Sequence, residues 1–141
     1  MAKPASQEFL ASLGQQIDQG VTLHRQGKLG EAEKIYARIL KAVPDQFDTL
    51  LLMASLRLAT GKAADALRLT TAALAVQPNS ANARVQHGHV LRVLKREDEA
   101  LACFERVLAT EPNHIDALGS RGDLLLGRKR SAEALQNFET I

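Results

Sequence analysis

The chain has no tryptophan, one cysteine and only 4% aromatic residues, and its formal net charge is +2. A single cysteine excludes an intramolecular disulfide, so a reducing, cytoplasmic compartment is the simpler expectation. The small net charge and the scarcity of aromatic side chains that could stack on bases argue against nucleic acid as a partner. The sequence also contains no apolar run of about 18 residues for a membrane span and no apolar stretch typical of a secretion signal. The composition indicates a soluble chain without a nucleic-acid or membrane partner.

Groupings of residues that support catalysis or cofactor binding are also missing. His87 and His89 stand two apart, which directs them to different faces of a helix, and no carboxylate or thiol completes a metal-ligand spacing. Asp116 and Asp123 are separated by two helical turns, about 10 Å, with no acid partner. We therefore expect that the protein is not an enzyme and that it binds no metal and no cofactor. We interpret Cys103 as a small apolar core residue.

Proline is scarce, yet its positions are the most informative feature of the chain. Pro44, Pro78 and Pro112 follow one another at intervals of 34 residues. Each proline is expected to close a helix, because proline lacks the backbone N–H and biases the preceding residue away from helix. The same interval relates an alanine column, the acids before it and a column of small residues: Ala32, Ala66, Ala100 and Ala134; Glu31, Asp65, Glu99 and Glu133; Gly20, Ala54, Gly88 and Gly122.

A bulky ring also recurs at Tyr36, Phe104 and Phe138, with Thr70 as the exception. These columns resemble the tetratricopeptide-repeat (TPR) family. The resemblance implies an all-α fold, a right-handed superhelical solenoid of antiparallel helix pairs, in one continuous domain. It predicts repeats at 13–46, 47–80 and 81–114 and a partial repeat at 115–141, after an N-terminal tail or helix extension at 1–12.

Helix pairs are also expected from local signals. Short breaks in the apolar stripes predict the turns within each pair, and polar residues after the prolines suit the caps of the following helices. The predicted turns are Gly27-Lys28, Gly61-Lys62, Lys95-Arg96 and Arg128-Lys129, and the predicted caps are Asp45, Asn79 and Asn113.

The resemblance places the binding surface on the first helices of the units, which line the concave side of such a superhelix. We expect an apolar centre flanked by polar ends, suited to an apolar side chain of an extended or helical peptide. The predicted partner groove comprises Leu51, Leu52, Ser55, Leu58, Asn82, Gln86, His89, Arg92, Asp116 and Asp123, with Asp18, Val21, His24, Arg25, Asp48, Val85 and Ser120 beside them.

Two specialised groove types of this family are not matched. Chaperone-binding members grip a terminal carboxylate with lysine, asparagine and arginine, and glycosyltransferase-fused members carry an asparagine in every repeat. The carboxylate-clamp positions here hold Ile17, Val21, Leu52, Asn82 and Gln86, and the asparagine-ladder positions hold Asp18, Leu52, Gln86 and Ser120. Residues 23–33 nevertheless look like the first repeat of long bacterial arrays, some of which end in an O-GlcNAc-transferase-like domain.

The last repeat is expected to leave Leu135, Phe138 and Ile141 partly uncovered, because solenoids normally finish with a polar capping helix. Further repeats in a longer protein, or a second copy meeting this end, would cover them. The sequence thus predicts a non-catalytic protein-interaction scaffold that binds a protein or peptide. The alternatives are a regulatory or substrate-recruiting arm of a larger enzyme such as a glycosyltransferase, and a module that self-assembles through its C-terminal helix.

Overall fold

The structure is a computed structural model that describes residues 5–139, and within that range every regular element is an α-helix. Neighbouring helices along the chain pack against each other, and first helices of successive units also touch, α2 on α4, α4 on α6 and α6 on α8. The all-α solenoid is therefore confirmed. The helices are α1 (Gln7–Ala11), α2 (Leu13–Arg25), α3 (Leu29–Ala42), α4 (Phe47–Ala59), α5 (Ala63–Val76), α6 (Ala81–Val93), α7 (Glu97–Thr110) and α8 (Ile115–Glu139).

The core lies between the two layers of helices and follows the repeat columns. Ala32, Ala66 and Ala100 are fully buried, as are the rings of Tyr36 and Phe104. A Cβ added at Gly20 would lie 2.6 Å from Tyr36 Cε1, and one at Gly88 would lie 2.7 Å from Phe104 Cε1. The small column therefore makes room for the ring of the second helix.

Three of the four predicted turns are present, between α2 and α3, α4 and α5, and α6 and α7. Each contains one residue with positive φ, at Gly27 (78°), Gly61 (80°) and Lys95 (65°). Glycine adopts this left-handed conformation without steric cost, whereas in lysine the Cβ comes too close to the backbone and makes it unfavourable. The third turn therefore forms despite carrying the less suitable residue.

The predicted helix caps are wrong by one residue. Ser80 Oγ accepts the backbone N–H of Ala83, and Gln46 Oε1 accepts that of Thr49. At the last helix His114 Nδ1 accepts the N–H of Ala117. The proline loops run one residue further than expected before the next helix starts, so the side chain that reaches the free backbone N–H groups comes later.

The fourth turn is also wrong, because α8 continues without interruption from Ile115 to Glu139 through Arg128 and Lys129. The part of the last unit after this predicted turn is thus the straight continuation of its first helix. Ala117 and Leu124 anchor the first part of α8 in a cluster with α7 residues. Residues 131–136 are exposed.

The N-terminal residues form the separate short helix α1, which ends just before Ser12. Ser6 Oγ accepts the N–H of Phe9 at its start, and Ser12 Oγ donates to Phe9 O at its end. α1 packs on α2. The predicted extension toward the N-terminus is therefore helical, but it is offset from α2 at Ser12 and does not continue it.

Candidate functional site: a groove on the first helices

A small open cavity lies between α4 and α6 on the surface formed by the first helices. Its volume is about 280 Å³. Positions four residues apart on each helix face it, because such positions share one helical face. Five of its six lining residues belong to the predicted partner groove, and the sixth, Asp48, adjoins them: Asp48, Leu51, Leu52, Ser55, Asn82 and Gln86.

A hydrogen bond between two of the lining residues joins the two units at this cavity. Gln86 Nε2 of α6 donates to the backbone oxygen of Leu51 on α4, at 2.9 Å. An amide that bridges two helices is held in one orientation, so its remaining oxygen is a fixed acceptor. Asn82, one turn earlier on α6, is exposed beside it. The groove therefore presents an ordered polar edge next to the apolar wall of α4.

The apolar centre of the groove is smaller than the sequence suggested. Leu51 is only 6% exposed and packs with Ala73 and Ala83 inside the core. Leu58 is half-buried against Val90. Leu52, also half-buried, lines the cavity and is the leucine that offers accessible apolar surface there.

The polar residues predicted for the other end of the groove are brought together in pairs between α6 and α8. His89 Nε2 lies 3.0 Å from Asp116 Oδ1, and Arg92 Nη1 lies 3.8 Å from Asp123 Oδ2. Ser120 Oγ also donates to Asp116 Oδ1, at 3.1 Å. These contacts join α6 to α8, so His89, Arg92, Asp116 and Asp123 each already have a partner side chain within the chain.

The Ser–Asp–His cluster does not form a nucleophile relay. In a catalytic triad the imidazole stands between the hydroxyl and the carboxylate, and it takes the proton from the hydroxyl. Here Asp116 stands between Ser120 and His89 and contacts both. The described part of the chain also contains no group of three or more His, Cys, Asp or Glu side chains placed to hold a metal ion.

Burial raises the pKa of Tyr36 in the core, and it is also the main cause of pKa shifts at two further groups, His87 and Cys103. Burial lowers the pKa of His87, helped by the charges of Arg84 and Arg96 and opposed by that of Glu99. Burial also raises the pKa of the Cys103 thiol. Neither group faces the groove cavity, and a thiol held protonated is a poor nucleophile. Both pKa shifts follow from packing.

Sequence reasoning missed a second cavity, also about 280 Å³, beside the Pro78 loop. Its charged lining residues are Arg84 and Arg106, and Arg84 Nη2 donates to Pro78 O at 2.7 Å. The two arginines stand 22 positions apart in the sequence, so no local spacing connects them. The residues of the proline loop predicted a turn, but nothing in their pattern indicated a cavity.

The end predicted to self-associate is described only in part. Leu135 is 61% exposed on α8. The side chain of Phe138 and the whole of Ile141 lie outside the described residues. No helix in the part of the chain that the structure describes has the length and apolar character needed to cross a membrane.

The geometry defines the class of protein: a helical-repeat protein whose units use equivalent positions, 34 residues apart, for the same packing contacts. Two models described as tetratricopeptide repeat match residues 23–87 and 85–141. The chain belongs to the tetratricopeptide-repeat family. No curated protein matches it significantly.

Solved structures share the fold over most of the chain. The first TPR of Spaghetti (RPAP3) bound to the HSP90 peptide SRMEEVD is 25% identical with a TM-score of 0.78, covering 89% of this chain and 97% of that one. A crystal structure of MamA protein is 22% identical with a TM-score of 0.72, covering 88% and 68%. A Thermobaculum terrenum O-GlcNAc transferase mutant is 21% identical with a TM-score of 0.78, covering 85% of this chain and 23% of that one.

Proposed function

We propose that this chain is a non-catalytic scaffold that binds a segment of a partner protein in the groove between α4 and α6. The observation that carries the proposal is the cavity, whose lining residues come from the surface formed by the first helices. The first TPR of Spaghetti (RPAP3), which is similar to this chain, is bound to a peptide, and this similarity supports a peptide segment as the partner. The repeats supply a rigid scaffold, and a few groove residues supply the specificity.

The groove chemistry favours a segment with one apolar side chain beside neutral or basic residues. Leu52 offers the apolar contact, and Asn82 and Gln86 offer amide groups to a peptide backbone. Asp48 is the one charged residue among the six that line the cavity, and it is exposed. An acidic C-terminal segment would therefore meet a carboxylate where a chaperone-binding groove offers cations.

A binding measurement with a selected peptide tests this proposal. Peptides would be enriched on the wild-type chain, and affinities would be measured for the wild type and Leu52→Asp by fluorescence anisotropy. We expect at least a tenfold loss in the variant with unchanged helical circular dichroism, since one buried aliphatic contact is worth about 1.5–3 kcal/mol. Equal binding by the variant would move the site elsewhere.

Two controls sharpen this experiment. Leu135→Asp places the same charge on an exposed leucine far along α8, and we expect it to leave the affinity unchanged. The acidic peptide SRMEEVD serves as the negative probe, and Asp48→Lys should improve its binding. Tight binding of that peptide by the wild-type chain would contradict the proposed preference.

A second candidate is the regulatory or substrate-recruiting arm of a larger enzyme, such as a glycosyltransferase. The fold similarity to the Thermobaculum terrenum O-GlcNAc transferase supports it, because this chain corresponds to a 23% share of that protein. The mass of the natural gene product tests it, since a mass near 15.3 kDa would exclude an attached catalytic domain. A bacterial, cytoplasmic protein remains our expectation for its origin.

A further inference from the structure

The first half of α8 carries an open flank that is covered in every earlier unit. Leu118, Gly122 and Leu125 lie on one stripe, at i, i+4 and i+7. Leu118 is 39% exposed, Leu125 is 46% exposed, and no described atom comes within 4 Å of a Cβ built at Gly122. One face of this helix half is therefore packed on α7, and the adjacent face lacks a neighbour among the described residues.

The equivalent positions in earlier units are closed by the second helix of the same unit. Gly88 lies against the ring of Phe104, and Gly20 lies against the ring of Tyr36. Leu50 and Ala54 of the second unit are 4% and 0% exposed. A glycine that leaves room for a ring is thus present at Gly122, but no described side chain lies within 4 Å of a Cβ built there.

The residue with the matching place in the period is Phe138, 34 residues after Phe104. On the continuous helix α8 it lies 16 residues beyond Gly122, about 24 Å along the axis and about 160° around it. On the straight helix the open flank and position 138 therefore lie on nearly opposite sides, so Phe138 can reach the flank only if the chain reverses its direction between them.

From these observations we propose that the open flank of α8 is the docking site for residues 131–141 of the same chain. The segment folds back at residues 127–130 and places Phe138 on Gly122, which completes the fourth unit. The straight α8 is then the open form of a hinged C-terminal strap.

The hinge residues support two conformations. Gly127 weakens the straight helix, because glycine inside a helix is less favourable than alanine. Lys129 occupies the column of the positive-φ residues Gly27, Gly61 and Lys95, and Lys95 shows that the turn forms with a lysine there. Both the straight and the folded arrangement are thus accessible to this segment.

Contacts of Arg128 with α7 favour the straight form. Its guanidinium pairs with Asp98 and lies 3.7 Å from Glu97, both in the first turn of α7. The corresponding positions in the earlier turns hold Gln26, Thr60 and Leu94, which carry no charge. Since the ion pairs are solvent-exposed, salt screens them. Higher salt should therefore increase the population of the folded form.

Nuclear Overhauser contacts between Gly122 Hα and the ring protons of Phe138 test the proposal. Within one molecule, only the folded form brings these protons into contact. We expect the contact in the wild type, a stronger one in Arg128→Gln, and none in Gly122→Leu, which fills the space for the ring. Gly119→Leu is the matched control, because Gly119 lies on the same helix and also has open space around a built Cβ. The equivalent positions in the earlier units hold the larger residues Ile17, Leu51 and Val85. The contact between Gly122 and Phe138 should therefore persist in this variant.

Two results would overturn the proposal. One is the absence of the contact in both the wild type and Arg128→Gln while α8 remains helical. The other is a contact that appears only between differently labelled molecules in a mixed sample with a dimeric mass. That outcome would assign the open flank to a second copy of the chain.

Discussion

The substitution Gly88→Ala tests the central packing rule of these repeats. The added Cβ would lie 2.7 Å and 2.9 Å from Phe104 Cε1 and Cζ, and 3.3 Å from Cys103 Cβ. The ring is fully buried and has His89 against it, with ring centroids 5.5 Å apart, so it has no free space into which to move. α6 and α7 must separate, or the ring must leave its rotamer.

The net effect is the difference between two terms of known size. Overpacking a filled core costs about 1–3 kcal/mol, and replacing glycine by alanine inside a helix gains about 0.5–1 kcal/mol. The difference lies between about 0 and 2.5 kcal/mol, and because the ring is fully buried we expect a net loss of about 1–2 kcal/mol in the free energy of unfolding. For a chain of this length the loss lowers Tm by about 3–6 °C.

The assay is urea and thermal unfolding followed by far-ultraviolet circular dichroism, with Gly30→Ala as the matched control. Gly30 lies in α3 with nothing within 4 Å of a built Cβ, so the same substitution there should stabilise the chain by a few tenths of a kcal/mol or more. If Gly88→Ala were as stable as Gly30→Ala, the reasoning about the ring and the small column would be refuted.

Three further predictions follow from the electrostatics and the core. Because the pKa of His87 is lowered in the folded state, the unfolded chain takes up the proton first as the pH falls. The free energy of unfolding should therefore fall from about pH 7 downward and level off below the folded pKa. In urea titrations at a series of pH values, His87→Gln should flatten that dependence. The buried Cys103 thiol, with its raised pKa, should react with a disulfide reagent at pH 8 far more slowly in the folded than in the urea-unfolded chain, and equal rates would contradict its burial. The Arg57–Glu33 pair, 2.7 Å apart between α3 and α4, should show a coupling free energy of about 0.2–1 kcal/mol in a double-mutant cycle, reduced in 1 M salt; a salt-independent value would mean that the pair is not screened by solvent.

The repeat period predicted the helix pairs because each column reflects a steric need that recurs in every unit. Positive φ at Gly27 and Gly61 follows from residue type, and Lys95 was identified only through its column. Two caps were missed because Gln46 and His114 are unusual capping residues, used here in place of the aspartate and asparagine nearby. The third cap, Ser80, is a preferred residue and was missed because the helix starts one residue later than expected. Residue preferences identified the loops but did not fix the helix ends.

The last unit shows where the period fails to predict structure. Arg128 and Lys129 stand in the turn column, but α8 passes straight through them. A lysine in that column does not by itself prevent the turn, because Lys95 adopts positive φ in the third turn. The fourth turn differs in Arg128, which pairs with Glu97 and Asp98, and this contact depends on the placement of α7. Sequence columns contain no information about such cross-helix contacts.

The groove was predicted in outline, and its chemistry was corrected by packing. Helical phase identified the cavity residues, but it did not show that Leu51 would be buried beneath them. The contacts of His89 with Asp116 and of Arg92 with Asp123 join different helices, so they depend on the angle between units. Single-helix periodicity determines which residues share a face, and the stacking of units determines which of them remain free.

The most direct test of the proposed function is to map where a selected peptide binds, by amide chemical-shift changes on the isotope-labelled chain. The account predicts that the largest changes cluster at Asp48, Leu52, Ser55, Asn82 and Gln86, and that Leu52→Asp abolishes them. Changes concentrated on α3, α5 and α7, with binding unaffected by Leu52→Asp, would contradict it and assign the partner to the opposite face of the solenoid.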